Sequence, residues 1–179
     1  NGTWDLDLNE PGLANWVINA YLDTDGDAVL SQTEFDAGAA RTATTDGNGD
    51  YSITGLTPGV DYIVCEVLQD GWFQSFPAPG DADCYTAGSP TLGAEGYAIN
   101  LESNETEMLN DFGNYQQAEI IVEKKVIAGG DTTKEFSFSG AHNVDLSDGE
   151  SASVLVAPGQ FQTEEDVEAG WKLQKVSCD

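Results

Sequence analysis

Carboxylates recur at alternate positions in one short stretch near the start of the chain. Asp23, Asp25 and Asp27 occupy positions 1, 3 and 5 of a 12-residue loop whose last position is Glu34. Calcium takes six to eight oxygen ligands, and short acidic side chains at alternate positions can turn inward together around one ion. The spacing therefore predicts a calcium-binding loop of the EF-hand type.

The other ligands of this loop follow from the same pattern. Position 7 is Val29, whose backbone carbonyl would face the ion, Ser31 would bind directly or through water, and Glu34 would close the site with both carboxylate oxygens. Ala28 stands at position 6, where such loops usually carry glycine, and Gly26 lies at position 4. An acidic β-turn without metal is the alternative interpretation.

Two weaker groups of oxygen donors have the same alternate spacing. They are Asp5, Asp7 and Asn9, followed by Glu10, and Asp46, Asn48 and Asp50. Asp and Asn side chains also bind their own backbone in turns, so metal binding and simple turn formation both fit these residues.

The charge balance of the chain favours cationic partners. It has 6 basic and 32 acidic residues, with a formal net charge of −26. Residues 1–117 carry 1 basic and 20 acidic residues (net −19), and residues 118–179 carry 5 and 12 (net −7). Such a charge repels nucleic acid and anionic membranes and attracts divalent metals. A solubilising surface is the other explanation of the scattered acids.

Three cysteines indicate one disulfide and one thiol without a partner in the chain. Cys65 and Cys84 lie 19 residues apart, and a bond between them would stabilise the fold by about 3 kcal/mol through loop entropy. Cys178 would stay unpaired or form an intermolecular bond. Three buried free thiols are the alternative. The spacing lacks a Cys-x-x-Cys pair, which argues against sulfur ligation of a metal.

Several features favour an exported protein. Asn1 and Asn104 begin Asn-x-Thr triplets, which are possible glycosylation sites. No apolar run approaches the roughly 20 residues that cross a membrane, and no signal sequence precedes Asn1, so we expect a mature or excised segment without direct membrane insertion. We predict a secreted location, at a cell surface or in an extracellular filament.

No pattern of residues predicts catalysis. His142 lies in a predicted loop without a second histidine, and no Gly-x-Ser-x-Gly motif accompanies it. We therefore predict no catalytic residues and no enzymatic activity. A calcium-dependent carbohydrate-binding module is the main alternative to a structural role, because aromatic side chains could stack on sugars; these are Trp16, Trp72, Phe73, Phe76 and Tyr85.

The elements that must position these groups read as β-strands. Short alternating or β-branched runs recur between Gly, Pro, Asn and Asp, and no helical period lasts three turns. Predicted strands span residues 15–21, 41–45, 51–54, 62–68, 97–101 and 108–115, then 119–127, 134–140, 151–156, 160–167 and 171–177. We predict an all-β fold of the sandwich class, with the calcium loop inserted between strands.

An internal repeat divides the chain in two. Residues 57–72 and 157–171 each place a Pro-Gly turn before an alternating stretch and a Gly-Trp pair after it. Similarity at this scale indicates duplicated modules, which we place at residues 1–117 and 118–179.

Three stretches of the first module resemble a known family. Residues 10–23, residues 45–62 and the Asn-Asp-Phe-Gly-Asn run at 110–114 resemble the calcium-binding B-type domain of serine-aspartate repeat adhesins. Residues 121–125, the Phe-Ser-Phe at 136–138 and the Pro-Gly to Gly-Trp stretch look like a prealbumin-like, collagen-adhesin B-type domain. The resemblance implies tandem Ig-like or transthyretin-like β-sandwich modules that form a calcium-stiffened stalk or fibre.

The resemblance also implies how modules would be joined. Relatives of the second module continue with another strand, so we expect Cys178 to pair beyond this segment or with a neighbouring subunit, and we expect strand donation between subunits. Some of these relatives carry a Lys–Asn or Lys–Asp isopeptide bond. Lys124 or Lys125 with Glu164 would supply two of its parts, without an evident acceptor strand.

Overall fold

The computed structural model describes residues 11–84, 91–127 and 130–178, and these form an all-β protein with one short helix. In chain order the elements are β1 (Val17–Leu22), α1 (Gln32–Ala37), β2 (Arg41–Thr44), β3 (Asp61–Val67), β4 (Trp72–Phe76), β5 (Ala82–Asp83), β6 (Glu95–Asn100), β7 (Gly113–Gln116), β8 (Ala118–Glu123), β9 (Phe136–Gly140), β10 (Val144–Leu146), β11 (Ser151–Val156) and β12 (Thr163–Glu165). The chain divides into two compact units, Asn1–Gln116 and Gln117–Asp179, one residue from the boundary placed by the sequence repeat.

The first unit is built around a five-stranded sheet in the order β2-β1-β3-β6-β5. All of its strand pairs are antiparallel, and β1 aligns with β3 over its full length, from Val17 opposite Val67 to Leu22 opposite Tyr62. A separate antiparallel pair joins β4 to β7. The resulting architecture is sandwich-like.

Strand β3 is the centre of this unit because its sequence is apolar on both faces. Ile63 and Cys65 pack on one side with Tyr21 and Leu30, and Val64 packs on the other side. The second cluster also contains Trp16, Ile18, Ala20, Tyr62 and Ile99. A short run of consecutive apolar residues is the pattern expected of a strand buried on both faces.

The predicted disulfide is present. Cys65 in β3 is bonded to Cys84, which directly follows β5, and both residues are fully buried. The bond joins the central strand to the edge of the same sheet. Cys178 is free and exposed.

The second unit contains two small sheets with a limited core. Strands β10, β9 and β12 form one sheet in that order, and β8 pairs with β11 in the other. Among its described residues, the buried apolar side chains are Phe136, Phe138 and Leu146, with Trp171 packed against them. The edge of the Trp171 ring meets Phe136 at 4.9 Å between centroids.

The Gly-Trp pairs of the sequence repeat form matching turns in the two units. Gly71 and Gly170 both have positive φ, at 80° and 85°, which favours glycine. The N–H of the following tryptophan donates to the carbonyl three residues earlier in each turn. Trp72 then packs edge-on against Trp16, as Trp171 does against Phe136.

Some predicted elements are wrong. Residues 51–54 and 171–177 are not strands, and only the end of the predicted strand 108–115 is one. Strands β4, β5 and β10 were not predicted, and the loop predicted to bind calcium between strands is followed by the short helix α1. Residues 51–54 contribute to the fold through their side chains: Ile53 packs against the core and Tyr51 Oη donates to Asn110 O at 2.5 Å.

Candidate metal site

The acidic loop runs from the end of β1 to the start of α1 and is tied to the sheet at several points. The Asp23 N–H donates to Asp61 O at the start of β3, at 3.0 Å. At its other end, Leu30 N donates to Asp83 O at 2.8 Å, and Asp83 N donates to Ala28 O at 2.9 Å. Leu30 is buried beneath the loop. These contacts hold the loop between β3 and β5.

The structure brings the three alternate aspartates together. Asp23, Asp25 and Asp27 each offer a carboxylate oxygen, and these oxygens lie within 4.8 Å of one another. Ligand oxygens at 2.3–2.6 Å from one calcium ion can be separated by up to about 5 Å. The donor set, three hard anionic oxygens, therefore fits a hard divalent cation.

The same carboxylates also shape the loop backbone. Asp23 accepts the N–H of Gly26 at 2.7 Å and of Ala28 at 3.0 Å, and Asp27 accepts the N–H of Val29 at 2.9 Å. Ala28 has φ of 60°, in the left-handed region where glycine is the usual residue of such loops. The backbone conformation of the loop is thus fixed by its own hydrogen bonds, and Ala28 at position 6 is strained.

The pKa of Asp25 is raised within the cluster. Desolvation and the negative charges of Asp27, Glu34 and Asp23 raise the pKa of Asp25, and a hydrogen bond from the backbone of Asp27 offsets this in part. A bound cation would relieve this repulsion because it favours the ionised form of each carboxyl.

Glu34 is buried and has a structural role in the loop. Its Oε1 accepts the N–H of Thr24 at 2.6 Å and the hydroxyl at 2.9 Å, and its Oε2 accepts the N–H of Ser31 at 3.0 Å and the hydroxyl at 2.8 Å. Burial opposes its ionisation, but the four hydrogen bonds outweigh burial and lower the pKa of Glu34 to about 2. Its carboxylate is not within the aspartate cluster.

Ser31 and Val29 serve the loop ends in this conformation. Ser31 is the N-cap of α1 and forms a capping box with Glu34, so its hydroxyl faces the helix terminus. Val29 forms a parallel bridge with Asp83, and its side chain is exposed. The ligand roles predicted for Val29, Ser31 and Glu34 remain predictions.

The weaker predicted sites have different outcomes. Asp46 closes a turn, because one of its oxygens accepts the N–H of Asn48 at 2.8 Å and of Asp50 at 3.1 Å. This is the turn-forming alternative, and it leaves metal binding at these residues a prediction.

The group Asp5, Asp7, Asn9 and Glu10 lies outside the described residues, as does the sequon residue Asn1. Asn104 is exposed in a turn.

A buried polar cluster around Glu66 was not predicted. Glu66 is fully buried in β3, and its Oε2 accepts a hydrogen bond from Asn114 in β7 at 2.8 Å. Glu66 Oε1, Asn114 Oδ1 and Trp16 Nε1 are buried and complete no hydrogen bond with described residues. Burial raises the pKa of Glu66 to about 7, although polar contacts with Asn114, Gln74 and Trp16 act in the opposite direction.

The second unit has a partly buried ion pair next to the residues considered for an isopeptide bond. Lys124 Nζ lies 2.6 Å from Glu165 Oε1 and 4.0 Å from the centroid of the Phe136 ring. Strand alternation directs Glu165 inward and Glu164 outward, where Glu164 contacts Gln162, so the acid beside Lys124 is Glu165 and the isopeptide bond with Glu164 stays a prediction. Lys125 is exposed and pairs with Glu123.

His142 is a structural residue in this fold. It is buried in a loop, and its two ring nitrogens lie 3.0 Å from Thr163 Oγ1 and 3.1 Å from Ile120 O. These contacts connect the loop before β10 with β8 and β12.

The aromatic side chains considered for sugar stacking are distributed between core and surface. Trp16 is buried, and Trp72 packs against it rather than beside Phe73. Phe73 is partly exposed and stacks on Tyr115 at 5.5 Å between centroids, with an interplanar angle of 24°. Tyr85 lies outside the described residues.

Comparisons with protein-family models, curated proteins and solved structures gave no match. No helix in the described part of the chain is long and apolar enough to span a membrane.

Proposed function

We propose that this chain is a structural stalk, spacer or fibre-forming segment of an extracellular or cell-surface, adhesin-like protein, and that calcium makes its first unit rigid. The observation that carries the proposal is the cluster of Asp23, Asp25 and Asp27 in a loop bonded to β3 and β5. We propose no catalytic role for any residue of the chain.

Calcium would act on the sheet through the loop. The three aspartates would hold the ion, whose positive charge would offset the repulsion between their carboxylates. Because the loop ends are bonded to Asp61 and Asp83, ordering the loop would also restrain the start of β3 and the edge strand β5. A ligand that binds only the folded state stabilises it by about 2.7 kcal/mol at 100 times its dissociation constant.

The disulfide supports a structural role and an exported location. Cys65–Cys84 joins β3 to the residue after β5, so it and the acidic loop reinforce the same side of the sheet. Disulfides form and persist mainly in oxidising compartments. A cross-link of this kind would limit local opening of the sheet in a structural spacer.

Thermal unfolding with added calcium and with chelator tests the proposal. We expect calcium to raise the melting temperature of the unaltered chain and to have little effect on the Asp25→Asn/Asp27→Asn variant. Asp70→Asn is the matched control, because Asp70 is an exposed turn residue outside the loop. A melting temperature that is the same with calcium and with chelator would contradict the calcium part of the proposal.

A second candidate is a calcium-dependent carbohydrate-binding module. The partly exposed Phe73–Tyr115 pair favours it, because the pair borders a groove of about 620 Å³ that Pro77 and Pro79 also line. Titration of the chain with an oligosaccharide panel, in calcium and in chelator, separates the two candidates. Binding that is lost in Phe73→Ala but kept in Phe161→Ala, another exposed aromatic site, would favour the sugar-binding candidate.

A further inference from the structure

The second unit has a strand edge without a partner in the described part of the chain. Strand β8 pairs only with β11. Directly after β8, Lys124 N donates to Glu150 O and Lys124 O accepts from Gly149 N, so both of its backbone groups face the β11 side. Backbone groups alternate sides along a strand, and those of Glu119, Ile121 and Glu123 therefore face the open edge.

The exposed face next to this edge carries two apolar side chains among polar ones. Ile121 on β8 and Leu155 on β11 are 64% and 61% exposed. Natural proteins usually shorten, charge or cover such edges, because unpaired backbone groups beside apolar side chains attract another strand. The edge is thus suited to strand addition.

A segment with strand-forming composition lies free after β12. Residues 171–177 have the pattern of a strand, yet residues 172–178 form no hydrogen bond or ion pair with any described residue. Leu173 and Val176 in this segment are 46% and 74% exposed. Trp171 fixes its beginning against Phe136. The segment is therefore available to pair with another chain.

Charge favours a second copy of this chain as the partner. Residues 171–178 contain Lys172 and Lys175 and no acid, in a chain of net charge −26. Glu119 and Glu123 lie on one face of β8, and because side chains alternate along a strand, one of the two lysines of an added segment would share that face. A basic strand and an acidic strand edge on the same molecule are complementary between copies.

We propose that residues 171–178 of one copy add as a strand to the open β8 edge in the second unit of another copy. The two surfaces are different, so the contact is head-to-tail, and its repetition gives linear assemblies. The proposal rests on the structural role proposed above and names its partner. It does not involve the calcium loop, so either one can fail without the other.

Sedimentation of the full chain over a range of concentrations tests this assembly. A Cys178→Ser background and reducing conditions that spare the buried disulfide exclude assembly through the free thiol. We expect the average mass to rise at least twofold above 19.0 kDa as concentration increases. A chain that stays monomeric over the whole range overturns the proposal.

Two proline variants test the two surfaces. Ile121→Pro removes an N–H that faces the open edge, and Leu173→Pro/Gln174→Pro removes two consecutive donors, one of which must face the partner strand. Both variants should be monomeric, whereas Ile121→Val and Leu173→Val/Gln174→Thr, which keep every N–H, should assemble. If the proline variants assembled at the same concentrations as the unsubstituted chain, the proposal would be overturned.

Mixing provides the sharpest result. The Leu173→Pro/Gln174→Pro variant keeps its β8 edge, and the Ile121→Pro variant keeps its segment 171–178. Mixed together, the two variants should therefore form 1:1 dimers and nothing larger. A synthetic peptide of residues 171–178 should block assembly of the unsubstituted chain, which tests the edge even if Ile121→Pro unfolds. Failure of the peptide to block assembly overturns the proposal.

Discussion

Glu66 is a buried carboxyl whose ionisation opposes folding. Its pKa rises from 4.5 to about 7 because burial disfavours the charged form. The folded protein therefore binds a proton between these pH values that the unfolded chain does not. The resulting stability is fully present below pH 4.5 and is lost as pH rises through 7.

Glu66→Gln should remove this loss. At pH 8 the variant is expected to be more stable than the unaltered chain by up to about 3 kcal/mol, the free energy that corresponds to the pKa shift. Urea unfolding at several pH values measures the effect, with Glu107→Gln, an exposed site, as the control. Parallel stability profiles for Glu66→Gln and the unaltered chain would show that Glu66 does not titrate in this range.

Ala28 is strained at the position where calcium loops usually have glycine. Its φ of 60° costs an L-residue roughly 1–2 kcal/mol. Glycine would remove this cost, but the greater entropy of the unfolded chain with glycine would offset part of the stabilisation. Ala28→Gly should therefore stabilise the chain by about 1 kcal/mol in chelator, as measured by urea unfolding. Ala37→Gly, at the end of α1, should instead lower the free energy of unfolding. A destabilised Ala28→Gly would contradict this account of the loop.

At the scale of elements, α1 and the acidic loop share one residue. Glu34 is both the last position of the loop and the N3 residue of the capping box, so the helix terminus and the loop are folded together. Its pKa of about 2 means that its contribution is present above pH 4.5 and is lost as pH falls through 2.

Glu34→Gln should weaken both structures. Hydrogen bonds to a charged group contribute about 1.5–3 kcal/mol, so we expect a loss of roughly 2 kcal/mol at neutral pH, in chelator as well as in calcium. Urea unfolding measures this loss, and Asp36→Asn on the exposed side of α1 is the control. A loss that appears only in calcium would make Glu34 a metal ligand rather than a cap.

The elements also show which parts of the structure the sequence could predict. Strands β1, β3 and β11 follow from their apolar runs, and Cys65–Cys84 follows from the spacing of two cysteines. The helix α1 is too short for a period, although Ser31 and Glu34 give the signature of a capping box. The polar cluster around Glu66 could not be recognised, because the sequence does not show that Asn114 of β7 and Gln74 of β4 lie beside this residue in the fold.

At the scale of the whole molecule, the reinforcing features are unequally distributed. Among the described residues, the aspartate cluster and the disulfide both belong to the first unit, whereas the second unit has a small core and an open strand edge. We therefore expect the two units to differ in stability. The first unit contains the disulfide and the aspartate cluster, and the assembly proposed above would use the second unit.

The asymmetry predicts that removal of the disulfide will affect only one unit. Cys65→Ala/Cys84→Ala releases a closed loop with a sequence separation of 19, which should cost the first unit about 3 kcal/mol. Hydrogen exchange measured by mass spectrometry should then show faster exchange in β3, β5 and the acidic loop, and unchanged exchange in β9 and β11. Cys178→Ser should change neither unit, because this thiol is exposed and free. Faster exchange throughout both units would mean that they unfold as one body, and the division of roles between them would then be wrong.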